Sequence, residues 1–170
     1  MATGVRAAIA MYWDRHCFGV RDVDENDPTV FLDTYTWFTF KTIGDRSKNF
    51  GRGLRRLINP RDYLGICAAN RPEWMITDFA CLLQSFISVP IYTLFSDHEI
   101  AYVINNTNVS VVVCDKKMLE RFIHIKSQCP SLVHIICMDP VPDMITCKSI
   151  ESYDSHAKQK SSTNFYFITS

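Results

Sequence analysis

A chain of 170 residues and 19.6 kDa is long enough for one domain with its own core and short for two. Its 47% hydrophobic and 21% charged content, with six Gly and seven Pro, excludes disordered, collagenous and low-complexity classes. Eighteen Lys and Arg balance eighteen Asp and Glu, so no global field attracts nucleic acid, and nucleic acid is not an expected partner.

Residues 1–33 read as an irregular segment that ends in an acidic, solvated connector, Arg21 to Pro28. The apolar stretch Ala7 to Met11 is too short for a secretory signal, which places the start of the chain in the cytosol. Phe40, Ile43, Ser47, Phe50, Leu54 and Leu57 then recur at three- and four-residue steps, predicting an amphipathic helix over Lys41 to Leu57 that Asn59-Pro60 ends. The dense basic run on it, from Lys48 through Arg52 to Arg55 and Arg56, reads as the wet face of that helix. Gly51 and Gly53 each cost a helix about 1 kcal/mol relative to Ala, which points to close packing against a neighbour.

From Tyr63 onward short apolar runs alternate with helical stretches. Strands are expected at Tyr63 to Ala69, Val89 to Tyr92, Val109 to Cys114 and Leu132 to Met138. Helices are expected at Pro72 to Phe86, Ser96 to Asn105 and Lys116 to Gln128. Asn70 and Asp115 are candidate caps, Pro72 suits a first helical turn, and Ser96-Asp97-His98-Glu99 has capping-box spacing. Trp74 to Tyr92 approaches the length of a membrane span, but Asp78 and Pro90 favour a buried helix leading into a strand. Beyond Val141 the chain turns polar, Ser152 to Thr163 reads as a loop, and Phe165 to Ile168 as one more strand. The order predicts an α/β fold, a parallel sheet flanked by helices.

Chemistry is sparse. The seven cysteines, at positions 17, 67, 81, 114, 129, 137 and 147, form no CxxC pair and read as buried free thiols in a reducing compartment. Cys129, His134 and Cys137 only loosely approximate zinc-ligand spacing, and no metal site is expected. No strand-to-helix turn carries a phosphate-binding glycine, and no nucleophile elbow is present. His98, His124 and His134 lack visible partners, so no catalytic residue is assigned. Arg71 and Glu73 suit either a salt bridge or contact with a partner domain, and the salt bridge is the favoured expectation.

The run Gly65-Ile66-Cys67-Ala68-Ala69-Asn70-Arg71-Pro72-Glu73-Trp74-Met75-Ile76, followed by Val89-Pro90-Ile91-Tyr92-Thr93-Leu94, resembles the N-terminal part of the long-chain acyl-CoA synthetases, which are adenylate-forming AMP-binding enzymes. Cys17 to Arg21, Tyr35-Thr36-Trp37, Ile104-Asn105 and Val111 to Asp115 extend the similarity. The resemblance implies an incomplete N-terminal subdomain, divided as 1–33, the α/β part 34–140, and a polar loop with a terminal strand over 141–170. It implies a fatty acid CoA ligase that uses ATP, magnesium and CoA and passes through an acyl-adenylate. It also implies an intracellular location, cytoplasmic or peripheral to the endoplasmic reticulum membrane.

In that family a Thr-Ser-Gly loop holds the ATP phosphates, and Thr169 and Ser170 align with its first two residues as candidate cofactor-binding positions. Where the family usually has Pro-Gly-Asp and then a basic residue, this chain has Pro60-Arg61-Asp62-Tyr63. The adenine-binding motifs and the catalytic lysine come later in the family, so the expectation is a truncated fragment, inactive alone and without its own cofactor. Two alternatives stand beside it: a non-catalytic module that pairs with a full-length synthetase, and a small independent nucleotide-binding domain.

Overall fold

The computed structural model describes residues 2–27, 29–140, 147–149 and 166–168. The first surprise lies in residues 1–33, expected to be irregular: they hold helix α1 (Ala2–Met11) and strand β1 (His16–Val23), which pairs antiparallel with β2 (Phe31–Thr39). Arg21 to Val23 of the acidic connector belong to β1, and residues 24–27 lead into β2, with Asp24 Oδ1 accepting from the Asn26 and Asp27 amides and Asp27 Oδ1 from the Thr29 amide. Both faces of the hairpin are largely exposed, so selection for alternation is weak and the strands are hard to see in sequence. Trp37 lies over Gly19, where an added Cβ would come within 3.1 Å of the indole, and stacks on His16 with centroids 5.0 Å apart.

Strand β2 runs directly into helix α2 (Phe40–Leu54), which Thr39 caps by accepting from the Thr42 amide. Ile43, Phe50 and Leu54 are buried along one side, and the Ser47 hydroxyl, also buried, donates to the Ile43 carbonyl. Gly51 faces α3 (Pro72–Gln84) as its helix cost suggested: an added Cβ would lie 2.8 Å from Gln84 Cγ.

The main sheet begins with β3 (Tyr63–Cys67) and continues through β4 (Ile87–Pro90), β5 (Val111–Cys114) and β6 (His134–Cys137), parallel in the spatial order β4-β3-β5-β6. Helix α4 (Asp97–Thr107) connects β4 to β5; α5 (Lys116–Ile125), tightening into a 3-10 turn at Lys126–Gln128, connects β5 to β6. Successive strand residues point to opposite faces. Val112, Cys114, Ile135 and Cys137 pack with α4 and α5, whereas Val111, Val113, Leu64 and Ile66 pack with α2 and α3. The four-residue run Val111–Cys114 is fully buried, as a central parallel strand covered on both faces requires.

The parallel pattern stops at β6. Strands β7 (Cys147–Ser149) and β8 (Tyr166–Ile168) extend the sheet antiparallel, with β8 pairing to β6 so that Ile168 lies opposite Ile135. Asn70 is not a cap; Arg71 occupies the N-cap of α3 without a side-chain hydrogen bond, and Pro72 takes the first turn. The capping box of α4 and the Asp115 cap of α5 form as expected. No helix among the described residues is long and apolar enough to cross a membrane, and Asp78 accepts from the Ser88 hydroxyl, joining α3 to β4. The expected loop 152–163 lies outside the described residues.

Candidate functional site

In open α/β sheets the reactive crevice sits beyond the carboxyl ends of the strands, where the strand order reverses. Here β3 leads outward to β4 while β5 leads the other way to β6, so that point falls between β3 and β5. The groups that meet there come from three turns.

Asp115, only 7% exposed at the end of β5, accepts from the Ala69 amide at 3.0 Å and from the Met118 amide at 3.1 Å. Asp139, just past β6, accepts from the Lys116 amide and from Arg71 Nη1, both at 2.8 Å. Arg71 Nε donates to Glu73 Oε2 at 2.8 Å, and Arg46 Nη2 reaches Glu73 Oε1 at 2.7 Å from α2, its guanidinium lying over the Phe38 ring. The expected Arg71 to Glu73 pair is therefore one link in a chain that ties α2, α3, the start of α5 and the end of β6 together. Burial alone would raise the Glu73 carboxyl; hydrogen bonds from Arg71, its own amide and Arg46 outweigh that and hold it below its ordinary value.

This clasp has a chemical consequence. The N-terminus of a helix following a parallel strand ordinarily offers its amides to phosphate. At α5 the Lys116 and Met118 amides are already taken by Asp139 and Asp115, two carboxylates that would also repel an anionic ligand. Those two amides are not open to a phosphate, which weighs against the third reading of the sequence, a small independent nucleotide-binding domain.

Below the clasp, Cys67, Cys114 and Cys137 stand side by side in register on three adjacent strands, all fully buried. Burial pushes the Cys67 thiol up to about 12 and the Cys114 thiol well above its ordinary value, so both remain neutral packing groups without nucleophilic character. The histidines are scattered. His124 lies 3.6 Å from Asp97 on the surface, His98 lines a shallow groove on α4, and burial lowers His134 at the start of β6. Among the described residues no group of three His, Cys, Asp or Glu side chains is arranged to hold a metal ion, the row of thiols included. Thr169 and Ser170 lie outside the described residues.

Sequence reasoning missed Arg46 and Asp139 as members of the clasp. Arg46 is one cation in a basic helix, and Asp139 is a turn residue before Pro140; nothing local marks contacts that span 27 and 68 residues.

The fold defines the class: a doubly wound α/β unit with an antiparallel extension. Solved structures share that architecture. The A-PCP didomain of carboxylic acid reductase from Segniliparus rugosus, in complex with AMP, superposes with a TM-score of 0.75 at 17% identity, over 82% of this chain and 21% of that one. A putative long-chain-fatty-acid CoA ligase from Rhodopseudomonas palustris gives 0.69 at 20% identity, over 83% and 33%. Residues 20–169 match the AMP-binding enzyme family, and the chain belongs to it. A peroxisomal acyl-CoA ligase 891 from Penicillium brevicompactum is 37% identical over 133 residues, covering 74% of this chain and 18% of that protein. Long-chain-fatty-acid CoA ligase 5 from Rattus norvegicus is 37% identical over 116 residues, covering 64% and 17%. The match thus spans less than a fifth of these curated relatives' length.

Proposed function

We propose that this chain supplies the N-terminal sheet scaffold of a fatty acyl-CoA ligase, an enzyme that couples a fatty acid to CoA through an acyl-adenylate formed from ATP. The observation that carries the reading is 37% identity to an acyl-CoA ligase across 133 residues, on a sheet shared with adenylate-forming enzymes. Its own residues do structural work in that reaction: the clasp fixes the carboxyl ends of β3, β5 and β6, and β6 in turn sets the position of β8 through backbone pairing. In the family the phosphate-binding loop follows such a strand, which makes Thr169 and Ser170 its first two residues. Transition-state charge on phosphate and carboxylate needs preorganised donors, and most donors of the clasp are engaged by its own carboxylates. The isolated 170-residue polypeptide is therefore expected not to turn over.

Two assays test this. The isolated chain, given ATP, magnesium, CoA and palmitate or oleate, releases no pyrophosphate above the protein-free blank. A chimera of the rat ligase 5 that carries residues 20–140 of this chain in the matching segment retains fatty-acid-dependent pyrophosphate release; a folded chimera without it refutes the scaffold reading. Pairing with a full-length synthetase is the second reading, favoured by the outer edge of β4, where Ile87 is exposed and no further strand is described. Co-purification of a tagged copy checks it. Imaging that copy against markers decides between the endoplasmic reticulum surface implied by resemblance and the peroxisome named for the Penicillium relatives.

A further inference from the structure

The chain is neutral overall, yet one third of its cations sit in a single stretch. Between residues 46 and 61 stand Arg46, Lys48, Arg52, Arg55, Arg56 and Arg61, six of the eighteen Lys and Arg, without one Asp or Glu among them. Arg46 is half of a partly buried pair with Glu73, and Arg56 has a contact of its own. Lys48, Arg52, Arg55 and Arg61 are exposed, and none makes an ion pair with a described carboxylate. The one acidic residue on the same face of α2, Asp45, is taken by Lys41 at 2.6 Å.

Spacing turns these charges into a surface. Positions 48, 52 and 55 follow three- and four-residue steps, so they lie along one side of the helix over about 10 Å, opposite the buried Ile43, Phe50 and Leu54. Arg61 follows in the next turn of chain. Cations concentrated in this way raise the local potential even when the net charge is zero.

We propose that this arginine-rich face of α2 docks on an anionic phospholipid bilayer. Charge complementarity calls for a polyanion. Single-stranded nucleic acid would also need exposed rings on which bases stack, and the single aromatic residue within 46–61, Phe50, is buried. The choice of a bilayer rests on the fatty-acid reading above, since an acid with a long alkyl chain partitions into membranes and a ligase held there meets it at high local concentration. Each cation near an anionic membrane surface contributes about a fivefold gain in partitioning, and the attraction falls off within a Debye length.

The test is co-sedimentation of the 170-residue chain with phosphatidylcholine vesicles, with and without phosphatidylserine, in the absence of ATP and CoA. Binding is expected only with phosphatidylserine and weakens as salt is raised. The triple variant K48Q/R52Q/R55Q changes only exposed side chains, keeps its circular dichroism and melting temperature, and loses about a hundredfold in partitioning. Equal binding to both vesicle types, or an unchanged triple variant, overturns the proposal. Tighter binding to an RNA oligonucleotide than to the vesicles, or release of the vesicle-bound chain by millimolar phosphate, reassigns the face and overturns it too. Because no acyl transfer is read out, failure here leaves the chimera result standing, and failure of the chimera leaves this one.

Discussion

Arg61 sits at φ 75°, in the left-handed region, at the third position of a turn in which the Asp62 amide donates to the Asn59 carbonyl at 3.1 Å. With Pro60 second and positive φ third, this is a type II turn, whose third position favours glycine. The surroundings force Arg61 to stay: its amide donates to the Ser85 carbonyl at 2.6 Å, and the Asp62 carboxylate accepts from the Asn59 amide at 2.8 Å. An L-residue pays about 1–2 kcal/mol in this region. Glycine removes that cost but returns about 0.5–1 kcal/mol through the greater freedom of its unfolded chain. Arg61→Gly is therefore expected to stabilise the protein by about 0.5–1 kcal/mol, raising the melting temperature by about 1–4 °C at this chain length. Urea titration should show a higher midpoint at unchanged slope. Arg61→Ala keeps the Cβ and the strain, so it should leave stability within about 0.5 kcal/mol. A neutral or destabilising glycine variant, or an alanine variant that gains as much, refutes the reasoning.

Other perturbations probe the clasp and the core beneath it. Asp115→Ala leaves the Ala69 and Met118 amides without their acceptor and should cost about 2–3 kcal/mol in urea denaturation. Glu73→Gln should cost about 2 kcal/mol at neutral pH, since two guanidinium groups lose a half-buried anion. Because the folded-state value of Glu73 is depressed below its ordinary 4.5, its contribution is present above that pH and is lost as pH falls through the folded value. The wild type should thus lose stability on acidification below about pH 4.5 more steeply than the glutamine variant. Buried Cys67, Cys81 and Cys114 should resist a thiol reagent at pH 8 until the protein unfolds, while partly exposed Cys17 labels in the native state; mass spectrometry of tryptic peptides identifies which sulfur reacted.

The elements between Phe40 and Met138 were legible because burial leaves a periodic mark. Val111–Cys114 is apolar throughout since both faces are covered, and α2 repeats its core residues every three or four positions since one side is wet. Element ends shifted by one to three residues, as at β3, which stops at Cys67 where the apolar run continues to Ala69, and at α2, which ends at Leu54 rather than Leu57. Residues 16–39 left no such mark, because Tyr35 and Trp37 are half exposed and the hairpin rests on little core. The site was legible only in part. Arg71 and Glu73 are two residues apart and announce a pair, but Arg46 and Asp139 join them through tertiary folding alone. The same holds for the row of three thiols, which depends on the register of strands 47 and 23 residues apart in sequence.

The strand order also dictates when the sheet closes during synthesis. Cys67 ends the central strand β3, yet β5, which covers its second edge, finishes at Cys114, 47 residues later. At about 5–20 residues per second, a ribosome needs roughly 2–9 s to supply that partner. Throughout the interval an apolar strand, Leu64 to Cys67, presents unpaired backbone on the side that will become the middle of the sheet. The uncharged Val111–Cys114 run emerges after β3 and β4, with high β propensity and nothing to break it. Yield of this protein in a heterologous host is thereby tied to what shields β3 in those seconds, and coexpressed chaperones that bind apolar strands should raise the soluble fraction more than any change to the finished surface.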